Sequence, residues 1–260
     1  STDFFMISIA NPALLYKTGE NGSMELVYAE EDDSVFYDSM TFWNDSEGIV
    51  VGDAMNGCLS ILITRDGGNT WSKLSCEQLP RSVRGEGAFA ASNTNIKVLG
   101  DKTWIGTTKS RVYFSGDKGK TWEIQNTPVS CDVETQGIFS IDFYDENIGF
   151  VIGGDFTKPE INTANKAITT DGGKTWEKVF YIDENTGCAD LDIDPENPEI
   201  LYAAMWSYRR YPWSFDSGFT GTSGFFKSTD GGKDWKKMHE GLPQDTLGRM
   251  AIAVAPSNAN

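Results

Sequence analysis

Short runs in which apolar and polar residues alternate recur along the whole chain, cut off by clusters rich in Gly, Asn, Asp and Ser. Ile138 to Phe143 (IFSIDF) and Gly224 to Ser228 (GFFKS) are representative. A period of two is that of a strand with one buried face. Apolar residues nowhere return at the three-to-four spacing of a helix, so the pattern predicts an all-β chain of short strands and tight turns.

Between these runs one eight-residue pattern appears four times: Thr64 to Trp71 (TRDGGNTW), Ser115 to Trp122 (SGDKGKTW), Thr169 to Trp176 (TTDGGKTW) and Ser228 to Trp235 (STDGGKDW). Their aspartates lie 51, 54 and 59 residues apart, and a motif at a near-constant period marks a repeat architecture. Each copy joins two alternating runs and reads as a hairpin turn, with Asp-Gly-Gly or Lys-Gly supplying positive φ. Two more strand-like runs precede each hairpin: Ala88 to Ser92 and Lys97 to Gly106, Ile138 to Phe143 and Gly149 to Gly153, Ala189 to Ile193 and Ile200 to Trp206. Four strands per repeat make a propeller blade.

The chain opens with Phe4 to Ile9, Ala13 to Thr18 and Glu25 to Tyr28, the turn at Thr18 to Ser23 being a degenerate copy of the motif. It closes on one further run, Gly248 to Ala255. The expectation is a five-bladed β-propeller of four-stranded antiparallel blades, closed by the C-terminal strand completing the N-terminal blade. It forms a single domain over 1–260, with blade 1 at 1–30 plus 248–256, blade 2 at 34–78, blade 3 at 82–128, blade 4 at 134–181 and blade 5 at 186–240.

The repeated motif resembles the Asp box, or bacterial neuraminidase repeat, of sialidases, sortilin-type receptors, some polysaccharide hydrolases and photosystem II assembly-factor-like proteins. Residues 8 to about 180, with phrases such as SIANPALLYKT and SIDFYDENIGFVIGGD, resemble the assembly-factor-like or "oxidoreductase-like" bacterial propellers. From about Cys188 onward, DLDIDPENPEILYAAMW, GFFKSTDGGKDW and GRMAIAVAPSN resemble sortilin-type, glycosyl-hydrolase-like BNR proteins. An engineered chimera without an evolved ligand and a product of repeat shuffling would both give this division. The resemblance implies an exported protein with assembly or receptor-like protein partners, or a carbohydrate ligand.

Composition narrows the chemistry. A formal net charge of -16 argues against nucleic acid and anionic membranes, both of which need clustered Lys and Arg. No run approaches the roughly 20 apolar residues of a spanning helix, so no membrane insertion is expected. His239 is the only histidine, and no phosphate loop or dinucleotide fingerprint occurs, so neither metal nor cofactor is expected. Cys58 and Cys76 stand equally far from Gly67, where a hairpin would set them on facing strands. A disulfide and two reduced thiols both fit that placement. Cys131 and Cys188 have no such symmetry.

The boxes themselves read as structure: Asp66, Asp117, Asp171 and Asp230 as acceptors for turn amides, Trp71, Trp122, Trp176 and Trp235 as apolar anchors. Function is then expected on the axial face opposite them. The leading expectation is a non-catalytic scaffold with a binding surface around Arg84, Glu86, Asp155, Trp206, Arg209, Arg210, Trp213 and Arg249. The alternative is a polysaccharide-active glycoside hydrolase using two of Asp38, Glu86, Asp155, Asp190 and Asp192. The Arg-Ile-Pro segment of sialidases is missing.

Overall fold

The computed structural model describes residues 3–9, 11–19, 21–90, 93–158, 164–178, 182–183, 186–210, 215–217, 221–242, 248 and 251–254. All regular structure among them is β, in five antiparallel sheets. The first holds β1 (Phe5–Ile7), β2 (Ala13–Thr18) and β3 (Met24–Glu30) in that order. The second runs β4 (Tyr37–Phe42), β5 (Gly48–Met55), β6 (Cys58–Thr64) and β7 (Ser72–Lys73). The third is β8 (Ile96–Leu99), β9 (Lys102–Gly106), β10 (Arg111–Ser115) and β11 (Glu123–Asn126), and the fourth β12 (Gln136–Phe143), β13 (Gly149–Asp155), β14 (Lys166–Thr169) and β15 (Glu177–Lys178). The fifth joins β16 (Thr186–Ile193), β17 (Leu201–Arg210), β19 (Gly224–Ser228) and β20 (Lys236–Lys237), with β18 (Phe215–Ser217) paired to the far end of β17.

The chain divides into two compact units, Ser1–Phe156 with Ala164–Glu177 and Thr157–Thr163 with Lys178–Asn260. In the first, consecutive sheets share cores. Val50 and Leu62 meet Ala13 and Leu15 of the first sheet, while Ile49, Val51, Ile61 and Ile63 point the other way, to Ile96, Ile105 and Tyr113 of the third. Trp104 and Val112 then meet Ile141, Phe143, Val151 and Trp176 of the fourth. Burial on both faces explains why β6 (CLSILIT) is apolar almost throughout, and all seven of its residues are buried. The second unit has a smaller core of Ala203, Met205 and Phe226, against which Leu191 and Trp235 pack. Cys58 and Cys76 are joined in a disulfide, with Cα atoms 5.4 Å apart.

Three expectations are corrected. Lys97 to Gly106 is two strands, because Leu99 pairs with Lys102 across a two-residue turn whose Gly100 has φ 58°. Of the strand expected at Ala88 to Ser92, residues 88–90 are irregular, and 91 and 92 lie outside the described residues. The closing strand expected over Gly248 to Ala255 is not one where it is described. β1 has a single neighbour, β2, among the described residues, and the amides of Ile252 and Val254 donate to Asp190 and Asp192. The aromatic-rich stretch after Met205 continues the strand. It prolongs β17 to Arg210, which pairs with Phe215 of β18.

Candidate functional site

The four repeated hairpins share one hydrogen-bond design about the aspartate, while the tryptophan N–H bond to the second glycine is made by Trp71, Trp122 and Trp235 and not by Trp176. Asp66 Oδ1 accepts from the Thr64 hydroxyl at 2.9 Å and the Thr70 amide at 2.9 Å, and Oδ2 accepts from the Thr70 hydroxyl at 2.7 Å. The Gly68 amide donates to Thr64 Oγ1 at 2.9 Å, and Trp71 Nε1 donates to the Gly68 carbonyl at 3.2 Å. Gly67 and Gly68 take φ of 73° and 79°, which a side chain would resist. Asp117 and Asp171 repeat the cradle with Thr121 and Thr175. Partial burial disfavours the charged forms of Asp66, Asp117 and Asp171, but their hydroxyl and amide donors outweigh it and hold all three below the usual carboxylate range. Carboxylates whose two oxygens both accept from their own turn are turn formers.

The second glycine of a box also seats the preceding sheet. A Cβ at Gly68 would fall 2.3 Å from the Phe5 ring, one at Gly119 3.1 Å from Ile63, and one at Gly173 2.4 Å from Gln125.

At the other end of the sheets two β-bulges set up a different arrangement. The β4–β5 ladder steps from Tyr37↔Gly52 to Ser39↔Val51, leaving Asp38 as the extra residue. The β5–β6 ladder steps from Gly52↔Ser60 to Ala54↔Leu59, leaving Asp53. A bulge re-aims the side chain it carries, and these two carboxyls interact. Burial, then the Asp53 charge, push the Asp38 carboxyl up to about 8, opposed only by the Ala88 amide. Burial also raises Asp53, against the same amide. Both Asp38 oxygens are buried and make no hydrogen bond of good geometry. Gly87 leaves room for Asp53, since a Cβ there would lie 1.7 Å from Asp53 Oδ1.

The loop carrying Gly87 and Ala88 is anchored by Glu86. Its fully buried carboxylate takes Arg111 on both oxygens and also accepts from the Thr107 hydroxyl at 2.8 Å, the Val83 amide at 3.0 Å and the Tyr113 hydroxyl at 3.1 Å. One residue past Ala88, the Phe89 ring lies 4.3 Å from Phe139 and 6.0 Å from Phe156. Phe139 occupies the β12 bulge, between Ile138 and Ser140, that corresponds to the Asp38 bulge of β4. Phe89 and Phe139 are half-buried, and Phe156 is 56% exposed.

Residues 167–178 match the BNR/Asp-box repeat. No curated protein sequence matches the chain at a significant level. In structure the chain is similar to a GH74 enzyme of Niastella koreensis, at 16% identity and TM-score 0.51 over 90% of this chain and 43% of that one. It is also similar to the GH74 xyloglucanase of Xanthomonas campestris, at 14% identity and TM-score 0.53 over 99% of this chain and 41% of that one. YCF48 bound to D1 peptide aligns over 77% of this chain and 80% of that one, at 15% identity and TM-score 0.40. The two GH74 likenesses are of fold, a β-propeller, and the chain spans about two-fifths of the length of those enzymes.

The residues expected to bind fall in both compact units. Arg84 and Glu86 share one loop, Arg84 exposed and Glu86 buried under Arg111. Asp155 ends β13 and is buried, and Trp206 is half-buried in β17. Arg209 and Arg210 pair through their backbones with Asp216 and Phe215. Trp213 and Arg249 lie outside the described residues. Among the described residues no group of three or more His, Cys, Asp or Glu has the placement to hold a metal ion. Asp53, Phe89, Phe139 and Phe156 were not singled out from the sequence. Their signal is a register slip, visible only when two strands are laid side by side.

Proposed function

We propose that the chain is a non-catalytic propeller scaffold that binds a protein or carbohydrate ligand at the sheet ends opposite the Asp boxes, around Asp38, Asp53, Phe89, Phe139 and Phe156. The observation that carries this reading is a partly exposed ring cluster whose Phe89 directly follows Ala88, the residue whose amide faces the carboxyl pair. Ring faces stack on sugars and apolar side chains. A carboxyl that keeps its proton near neutral pH both donates and accepts, as a polyol or a peptide backbone requires. Glu86 is closed in by its own partners and serves to hold the loop. Glycan and peptide arrays test the reading. Saturable binding that Phe139→Ala and Asp38→Asn both weaken supports it, and binding indifferent to both counts against it.

A second reading, a polysaccharide-active glycoside hydrolase, is favoured by the Asp38–Asp53 pair itself. A carboxyl pushed up to about 8 beside another carboxyl has the makings of a general acid with its base or nucleophile. The shared fold with GH74 enzymes is compatible with this chemistry and does not supply it. Sugar release from a polysaccharide panel that includes xyloglucan, abolished in a folded Asp38→Asn variant, would replace the binding reading.

A further inference from the structure

Asp190 and Asp192 stand two residues apart on β16, the outermost strand of its sheet. Each spends one oxygen on the amide that follows it: Leu191 N–H donates to Asp190 Oδ1 at 3.1 Å, and Ile193 N–H to Asp192 Oδ1 at 2.9 Å. The other oxygens accept amides from far along the chain, Ile252 N–H on Asp190 Oδ2 at 3.0 Å and Val254 N–H on Asp192 Oδ2 at 2.6 Å. Spacing and direction agree, so residues 251–254 run parallel to β16. Two rows of N–H donors face one another, and an ionised carboxylate, accepting on both oxygens, satisfies one donor from each row. With side chains interposed, the backbones cannot approach to the ~4.8 Å of a true ladder, and 251–254 takes no strand structure. Ala251 and Ala253 are exposed, Ile252 and Val254 half-buried. A segment held by two such hydrogen bonds and little burial opens at low cost.

We propose that this edge of β16 is a docking rail for an extended peptide, read through the Asp190 and Asp192 carboxylates, and that its partner is the 251–254 segment of a second copy of this chain. Identity selects this partner: the same four residues already satisfy the rail within one chain, and two copies that trade them keep every hydrogen bond. The rail lies in the second compact unit and is independent of the Phe89 surface.

The test uses a fluorescein-labelled peptide of residues 248–255, titrated with the intact chain and followed by anisotropy. A control peptide is N-methylated at Ile252 and Val254, which removes the two donors. The parent peptide should saturate, and N-methylation, or the Asp190→Ala/Asp192→Ala variant with unchanged circular dichroism, should weaken it by about tenfold or more. Sedimentation velocity from about 1 μM to about 1 mM, the range of weak pairing, should show a monomer–dimer equilibrium that the double variant lacks. Equal binding by the methylated peptide, no saturable binding by the parent, or a chain monomeric throughout overturns the proposal.

Discussion

At the scale of single residues the chain contains acids pushed in opposite directions. Those of the boxes are held low, so the stability they lend is present above the usual carboxylate range and lost as pH falls through their depressed values. Asp38 is the reverse. From about pH 4 to about pH 8 the folded chain keeps a proton there that the unfolded chain has released, so stability falls as pH rises across that window. Asp38→Asn removes this slope and should be more stable than the parent by a margin growing by about 1.4 kcal/mol per pH unit at most. Urea titrations at pH 5 and pH 7 measure that margin, and an equal margin at both would contradict the burial of the carboxyl. The buried Glu86 carboxylate is matched by the Arg111 guanidinium. Arg111→Ala strands that carboxylate with no counter-charge and should cost about 3–5 kcal/mol in the same assay.

At the scale of elements the boxes were legible in the sequence because their chemistry is local. Aspartate, two positive-φ positions and a hydroxyl two residues before the aspartate define the turn whatever surrounds it, as Ser115, Thr169 and Ser228 repeat the role of Thr64. Strands flanking the boxes followed, with β2, β12 and β13 close to where alternation put them. The candidate site was not legible in this way. Asp38 and Asp53 meet because two ladders slip by one residue, and a slip belongs to a pair of strands. The run at Gly248 to Ala255 alternates like a strand, yet its described amides meet carboxylates where a ladder would offer carbonyls. The fourth box departs from the others in one respect. Where Thr70, Thr121 and Thr175 each donate a hydroxyl to the box carboxylate, Asp234 offers only its amide and a second negative charge. Asp234→Thr should therefore raise Tm, by about 1–3 °C in a calorimetric scan, and a fall would mean that the fourth turn is held by other contacts.

At the scale of the whole molecule the net charge of -16 sets what can approach it. Lys and Arg on the first unit are largely tied to acids, Arg65 and Lys118 both to Glu47, Lys73 to Glu30 and Lys102 to Glu146. A net charge of -16 repels a polyanion, so the chain should pass through a heparin column unretained at about 0.15 M salt, where residual long-range attraction is screened beyond about 8 Å. Retention would reveal a basic surface on the residues not described. Fold likeness extends to much longer chains, and three joints between sheets here, at Gly68, Gly119 and Gly173, obey one building rule.

That rule constrains how such a chain could be lengthened, shortened or spliced. Because Gly68, Gly119 and Gly173 each receive a different side chain, Phe5, Ile63 and Gln125, from the sheet before, no hairpin is interchangeable with another. The portable module is the seam: a side chain in one sheet together with the bare backbone that receives it in the next. A graft that carries the eight-residue motif alone would import a correct turn and a mismatched joint.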